Sequence, residues 1–301
     1  MSTNLKTKLT SGRFVMTAEV TPAASADRSE LLDRVAPLKG LADAVNVTDG
    51  ASARAHLDAL VASQILLAGG IEPILQITCR DRNRIALQSE LLGAAASGIG
   101  NLLILTGDDP KAGDQPDAKP VFDLDSAGLV HTAATMRDKG MLPHGRKIGG
   151  EIDFIIGVAD APVDPKPGWE PKSLIKKIEA GGQFAQTQFC MDPGIVRRYM
   201  ARLRESGVPS TFRHLIGVAP LASAKSAHWM RNNLFGTIIP DSVVARMEAA
   251  SDPKAEGRAI CIETIVELAT IDGVGGVHIM APMNDAAIPH VIRDVRKKLA
   301  A

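Results

Sequence analysis

Aromatic side chains are what this chain has least of: seven Phe, two Trp and one Tyr in 301 residues. A flat ligand would find few rings to stack on, so recognition must rest mainly on polar groups and backbone. Charge of one sign is missing too. Lys plus Arg and Asp plus Glu balance at 34 each, which removes the basic surplus of a nucleic-acid binder. Cys79, Cys190 and Cys261 lie far apart with no C-x-x-C, so reduced structural thiols are expected rather than disulfides or a zinc site. The seven histidines place no close pair on one helix face, and no metal is expected. The longest uncharged run, Leu91 to Gly107, is broken by Ser97, Gly98, Gly100 and Asn101. It reads as a helix end plus a strand, not a membrane span. The stretch from Met1 to Leu9 lacks the apolar core of a secretory signal, so a cytoplasmic protein without membrane or nucleic-acid partners is expected. No G-x-G-x-x-G follows a strand and no G-x-x-x-x-G-K occurs, which leaves out the common phosphate turns.

What is present is a repeated strand-then-helix unit, clearest at Asn101 to Pro110, where aliphatic residues run straight into Gly107, Asp108 and Asp109. Such a run suits a parallel strand covered on both faces. Strand patterns recur at 14–20, 44–47, 71–77, 102–106, 154–158, 184–187, 215–218 and 276–279. Helical patterns lie between them: one opened by Asp27 with Glu30, others over 54–68, through Ile85 to Leu92, over 125–139, up to Glu179, and after Asp192 with Pro193 in the first turn, with a terminal helix over 284–299. Eight units in this length predict an α/β fold, one (β/α)8 barrel over residues 1–301, with a doubly wound sheet as the competitor. The surplus length falls in the loops after the fourth and fifth strands and in the region 229–255.

Polar residues collect at the predicted strand ends: Glu19, Thr48, Asp49, Gln76, Thr78, Asp108, Asp160, Gln186 and Gln188. Any one of them is an ordinary loop cap. On a single rim they define a polar mouth above an apolar barrel, which suits a small polar ligand. Glu19 and Asp108, on strands one and four, are the candidates for an acid and a charge stabiliser. Lys176 and Lys177 are placed either to reach a phosphate or simply on a solvated helix face. His278, ending the eighth strand, reads as a half-buried structural histidine ahead of a ligand contact.

Four segments, Ala18-Glu19-Val20-Thr21-Pro22, Asn46-Val47-Thr48-Asp49-Gly50-Ala51, Leu105-Thr106-Gly107-Asp108 and Thr187-Gln188-Phe189, together resemble the 5,10-methylenetetrahydrofolate reductase family. The resemblance implies a (β/α)8 barrel that binds FAD, takes hydride from NADH or NADPH, and reduces methylenetetrahydrofolate in one-carbon and methionine metabolism. It implies catalytic roles for Glu19, as the acid that protonates N10, and for Asp108, near flavin and pterin. It assigns folate binding to Gln188 along with those two, and cofactor contact to Thr48, Gln76, Gly107, Asp108, Phe122, Asp160 and Lys177. The family's pattern is broken where Gln76 replaces a flavin-contacting histidine, Thr106 an arginine, Ala224 a folate-packing phenylalanine, and Ala159-Asp-Ala-Pro-Val-Asp-Pro165 a segment with a ring and an imidazole. Two variants of the reading stay open: direct hydride transfer without flavin, and a folate barrel serving methyl transfer with a corrinoid partner. Self-association into a homo-oligomer is left open too.

Overall fold

The computed structural model describes residues 3–282 and 284–300. Eight parallel strands, β1 (Val15–Val20), β2 (Ala44–Val47), β3 (Pro73–Thr78), β4 (Asn101–Leu105), β5 (Ile155–Asp160), β6 (Phe184–Phe189), β7 (Arg213–Val218) and β8 (Val274–Ile279), pair in chain order and close on themselves. The (β/α)8 barrel expected from the alternating units is what forms, and the doubly wound sheet is excluded by the pairing of β8 with β1. Outside it run α2 (Arg28–Val35), α3 (Ala59–Ala68), α4 (Arg84–Ala96), α5 (Ser126–Lys139), α6 (Lys172–Glu179), α7 (Pro193–Glu205), α8 (Ala224–Asn233), α9 (Asp241–Ala249), α10 (Pro253–Leu268) and α11 (Ile288–Ala300). The surplus around 229–255 is spent on α9 and its flanks.

A helix that periodicity did not predict, α1 (Asn4–Thr10), closes the barrel from the N-terminal side. Its first turn is satisfied by side chains, because the Thr3 side chain accepts from Lys6 N and the Glu72 carboxylate accepts from Asn4 N and Leu5 N, both at 2.8 Å. Leu5 and Leu9 then pack among Val15, Ala44, Ile74, Leu103, Ile155, Phe184 and Leu215, the inward residues of seven strands. Gly157 makes this layer possible: a Cβ there would stand 2.5 Å from the Phe184 ring. The outward strand residues meet the helices in a second, larger apolar layer. An apolar floor and an apolar jacket leave the upper barrel as the place where inward polar residues collect.

Strand ends differ from expectation by a residue or two, with one larger departure. The third helix begins at Ala59, capped by Asp58, rather than near Arg54. Before it the chain makes a tight turn in which Gly50, Ser52 and Ala53 all take positive φ, a conformation that costs a non-glycine residue energy and needs outside support.

Candidate active site

One face of each strand points into the barrel, so residues two apart stack in layers. Above the apolar floor comes a polar layer of Thr17, Asn46, Gln186 and His278, every one of them less than 5% exposed. The two amides exchange bonds: Asn46 Nδ2 donates to Gln186 Oε1 at 2.6 Å, and Gln186 Nε2 donates to Asn46 Oδ1 at 3.0 Å. Gln186 Nε2 also donates to Thr17 Oγ1 at 3.2 Å, and Thr17 Oγ1 lies 3.0 Å from His278 Nδ1. The threonine proton has two acceptors within reach, His278 Nδ1 and, at 3.4 Å, the Val277 carbonyl, so the network fits either imidazole tautomer.

His278 Nε2 lies 3.3 Å from Glu19 Oε2, and Gln76 Nε2 donates to the same oxygen at 3.2 Å. The Glu19 side chain, 24% exposed, is thus the point where a buried hydrogen-bond network comes up into the mouth. When Glu19 gives up a proton, the Gln76 amide already donates to the carboxylate it leaves, and the His278 imidazole lies beside it. This is a geometry suited to a proton donor.

The other expected residues are distributed unevenly around that centre. Asp108 is exposed at the rim; its Oδ2 accepts from Ser52 N at 3.0 Å, which makes it the support for the strained turn after β2. Gln188 folds its Oε1 back onto Phe189 N at 3.0 Å. Thr48 is 5% exposed, and its hydroxyl has no hydrogen-bond partner among the described residues. Gly107 turns the chain with φ near +95°, and a Cβ there would press on Thr78 and Arg80 at 3.1 and 3.0 Å. Phe122 sits 40% exposed with positive φ.

Asp160 and Lys177 leave the inner ring. The Asp160 carboxylate turns outward between sheet and helices, where Tyr199 Oη donates to it at 2.8 Å and His214 Nε2 lies 3.5 Å away. Burial opposes its charge, but the His214 imidazole and Tyr199 hydroxyl outweigh that and hold it below the usual carboxylate range. Lys177 Nζ donates to Ala159 O at 2.6 Å, and burial lowers its pKa. Lys176 pairs with Asp125 on the surface. Asp49, expected on the rim, accepts from Thr78 N and Oγ1 and pairs with Arg82, which also pairs with Glu90. The three thiols are buried, with Cys79 pushed up to about 11 and Cys190 to about 12, so they stay protonated. Among the described residues no metal-binding cluster occurs, and no helix is long and apolar enough to cross a membrane.

A barrel with its polar groups and a half-buried, hydrogen-bonded carboxylate at the C-terminal mouth has the layout of a (β/α)8 enzyme. The chain belongs to the methylenetetrahydrofolate reductase family: the sequence model described as "Methylenetetrahydrofolate reductase" matches residues 4–296. It is 28% identical over 262 residues to a 5,10-methylenetetrahydrofolate reductase from Pectobacterium carotovorum subsp. carotovorum, covering 80% of this chain and 79% of that one. It is also 28% identical over 210 residues to Methylenetetrahydrofolate reductase 2 of Schizosaccharomyces pombe, covering 66% of this chain but only 31% of the longer relative. Among solved structures, a Clostridium thermocellum protein described as binding two copies of 5-methyl-5,6,7,8-tetrahydrofolic acid shares the fold at TM-score 0.69 and 12% identity, covering 97% of this chain and 99% of that one.

Membership raises the question of FAD, whose pyrophosphate needs free cations or unpaired backbone N–H groups. The guanidinium groups that follow β3 are already committed, Arg80 to Asp81 and the carbonyls of Gly50 and Asp108, and Arg82 to Asp49 and Glu90. The Lys177 ammonium is held by Ala159, Asp160 faces away, and Gln76 is bound to Glu19. Of the expected cofactor contacts, only Thr48 offers a buried polar atom with nothing bonded to it. Bonded as they are, these expected cofactor-contacting residues leave no free cation for a flavin pyrophosphate.

Proposed function

We propose that this barrel reduces 5,10-methylenetetrahydrofolate to 5-methyltetrahydrofolate, with NADH or NADPH giving its hydride directly to the folate. The observation that carries the reading is Glu19, held at the mouth by Gln76 and His278. Protonation of N10 by Glu19 opens the five-membered ring and leaves a methylene iminium on N5. Hydride arriving at that carbon completes the methyl group, nicotinamide leaves oxidised, and solvent returns a proton to the carboxylate. The solved Clostridium thermocellum neighbour, described as a methyltetrahydrofolate binder, supports a folate ligand for a barrel of this shape.

Asp108 contributes negative charge at the rim, which favours a cationic iminium over its neutral precursor. Gln188 has its amide nitrogen available for a pterin edge while its oxygen is held by Phe189 N. The test is an anaerobic assay of purified protein with methylenetetrahydrofolate and each nicotinamide, with and without added FAD, alongside its visible spectrum. Turnover by colourless protein, indifferent to FAD, is expected. Turnover that depends on FAD would overturn direct transfer while keeping the reduction, and no turnover under any condition would overturn both.

A further inference from the structure

The turn between β2 and α3 keeps an unfavourable shape. Gly50, Ser52 and Ala53 take φ of +57°, +57° and +53°, and for the two residues that carry a Cβ this left-handed backbone is disfavoured and has to be held from outside. What holds it is the loop that carries Asp108. Asp108 Oδ2 accepts from Ser52 N at 3.0 Å. The Arg80 guanidinium spans both segments, Nη2 donating to Gly50 O at 3.2 Å and Nη1 to Asp108 O at 3.4 Å. Gly113, further along the same loop, lies so close to the turn that a Cβ on it would stand 2.1 Å from Ala53 O. The two segments meet backbone to backbone, and neither can move far without the other.

The bond between the turn and the carboxylate works in both directions. Asp108 is exposed at the rim, where an unrestrained side chain would spread its charge over several rotamers in water and act weakly on anything bound in the mouth. Ser52 N–H fixes one of its oxygens, while Oδ1 makes no hydrogen bond among the described residues. Electrostatic stabilisation depends on groups that already stand in place when charge develops. We propose that the left-handed turn is a positioning device for Asp108, with Ser52 as the positioning residue: its N–H anchors Oδ2 and leaves Oδ1 free for the cation formed on the substrate. The assignment rests on the folate reading above, which puts a methylene iminium in the mouth, and it gives the backbone strain at Ser52 and Ala53 a function.

A double-mutant cycle on turnover of methylenetetrahydrofolate tests it. Ser52→Pro removes the N–H and fixes φ near −65°, so kcat is expected to fall about 10- to 100-fold, the effect of displacing a group by about an ångström, with little change in KM for the nicotinamide. In an Asp108→Asn background the same substitution should lower kcat by less than about threefold, because the charge it would misplace is already gone. Ser52→Gly keeps the N–H and adopts the left-handed turn freely, so it should retain most of the turnover. Ser52→Val keeps the N–H but resists that backbone and should show a smaller loss of the same kind, again dependent on Asp108. Normal turnover in Ser52→Pro, or in Ser52→Val where the proline variant does not fold, overturns the positioning role, and so does a loss of equal size in both backgrounds. Wild-type turnover with such additive losses sinks this inference alone; wild type without turnover sinks the reductase reading and this role with it.

Discussion

Glu19 is worth as much as its two neighbours make it worth. Glu19→Gln keeps the shape and the partners but has no acidic proton, so turnover is expected to fall by about 10²- to 10⁴-fold. Folate affinity, measured by titration, should change little. A variant that retains near-normal turnover would remove Glu19 from the chemistry. At this scale the sequence was informative about rim carboxylates and amides and silent about what lies beneath them. Glu19 shows itself by ending a strand, whereas Thr17 and Asn46 look like ordinary mid-strand polar residues. They become a network with Gln186 only because barrel closure brings β1, β2 and β6 across a common interior. His278, read as a structural histidine, is indeed buried, yet both its nitrogens are engaged and one reaches Glu19. Period-two alternation places Thr17 and Glu19 on one face, and that was the available signal.

Among the elements, the strands were legible because each is a short aliphatic run stopped by a turn, and the caps Asp27 and Asp192 stand where the structure has them. Helix α1 was not. Only Leu5 and Leu9 are apolar in Asn4–Thr10, too few for a periodic pattern, and its supports, Glu72 and Asp43, are distant in sequence. The helix start expected near Arg54 failed for a related reason: Asp108, from another loop, holds the preceding turn in its left-handed form. The α1 plug makes a direct prediction. Leu5 is fully buried, so Leu5→Ala should cost about 2–5 kcal/mol in denaturant unfolding. A loss below about 1 kcal/mol, the size of an ordinary surface change, would mean that the floor is sealed by the strands alone.

For the whole molecule, the buried Asp49–Arg82–Glu90 group gives stability a pH dependence. Burial pushes the Glu90 carboxyl up to about 7 from an ordinary 4.5, against the pull of Arg82. Between those values the folded state holds a proton that the unfolded chain releases, so stability falls as pH rises through this window. Thermal or denaturant melts should show a loss on the order of 2 kcal/mol between pH 4 and pH 8. Glu90→Gln should flatten that slope. An unchanged slope would assign the dependence to other groups.

The plug at the base of the barrel also sets an order of events. Helix α1 precedes every strand, yet the side chains it packs on extend from Val15 on β1 to Leu215 on β7. Its berth does not exist until nearly the whole barrel has come together, and loop-closure entropy must be met before its few contacts reward it. It should be among the last pieces to dock on refolding. Pulse-labelled amide exchange can time this, because the amides of Lys6 to Leu9 should gain protection after those of β2 to β4. Simultaneous protection would mean that α1 docks on a partial barrel. With the expected order, every refolding molecule passes through a closed ring of strands whose lower end is still open to water.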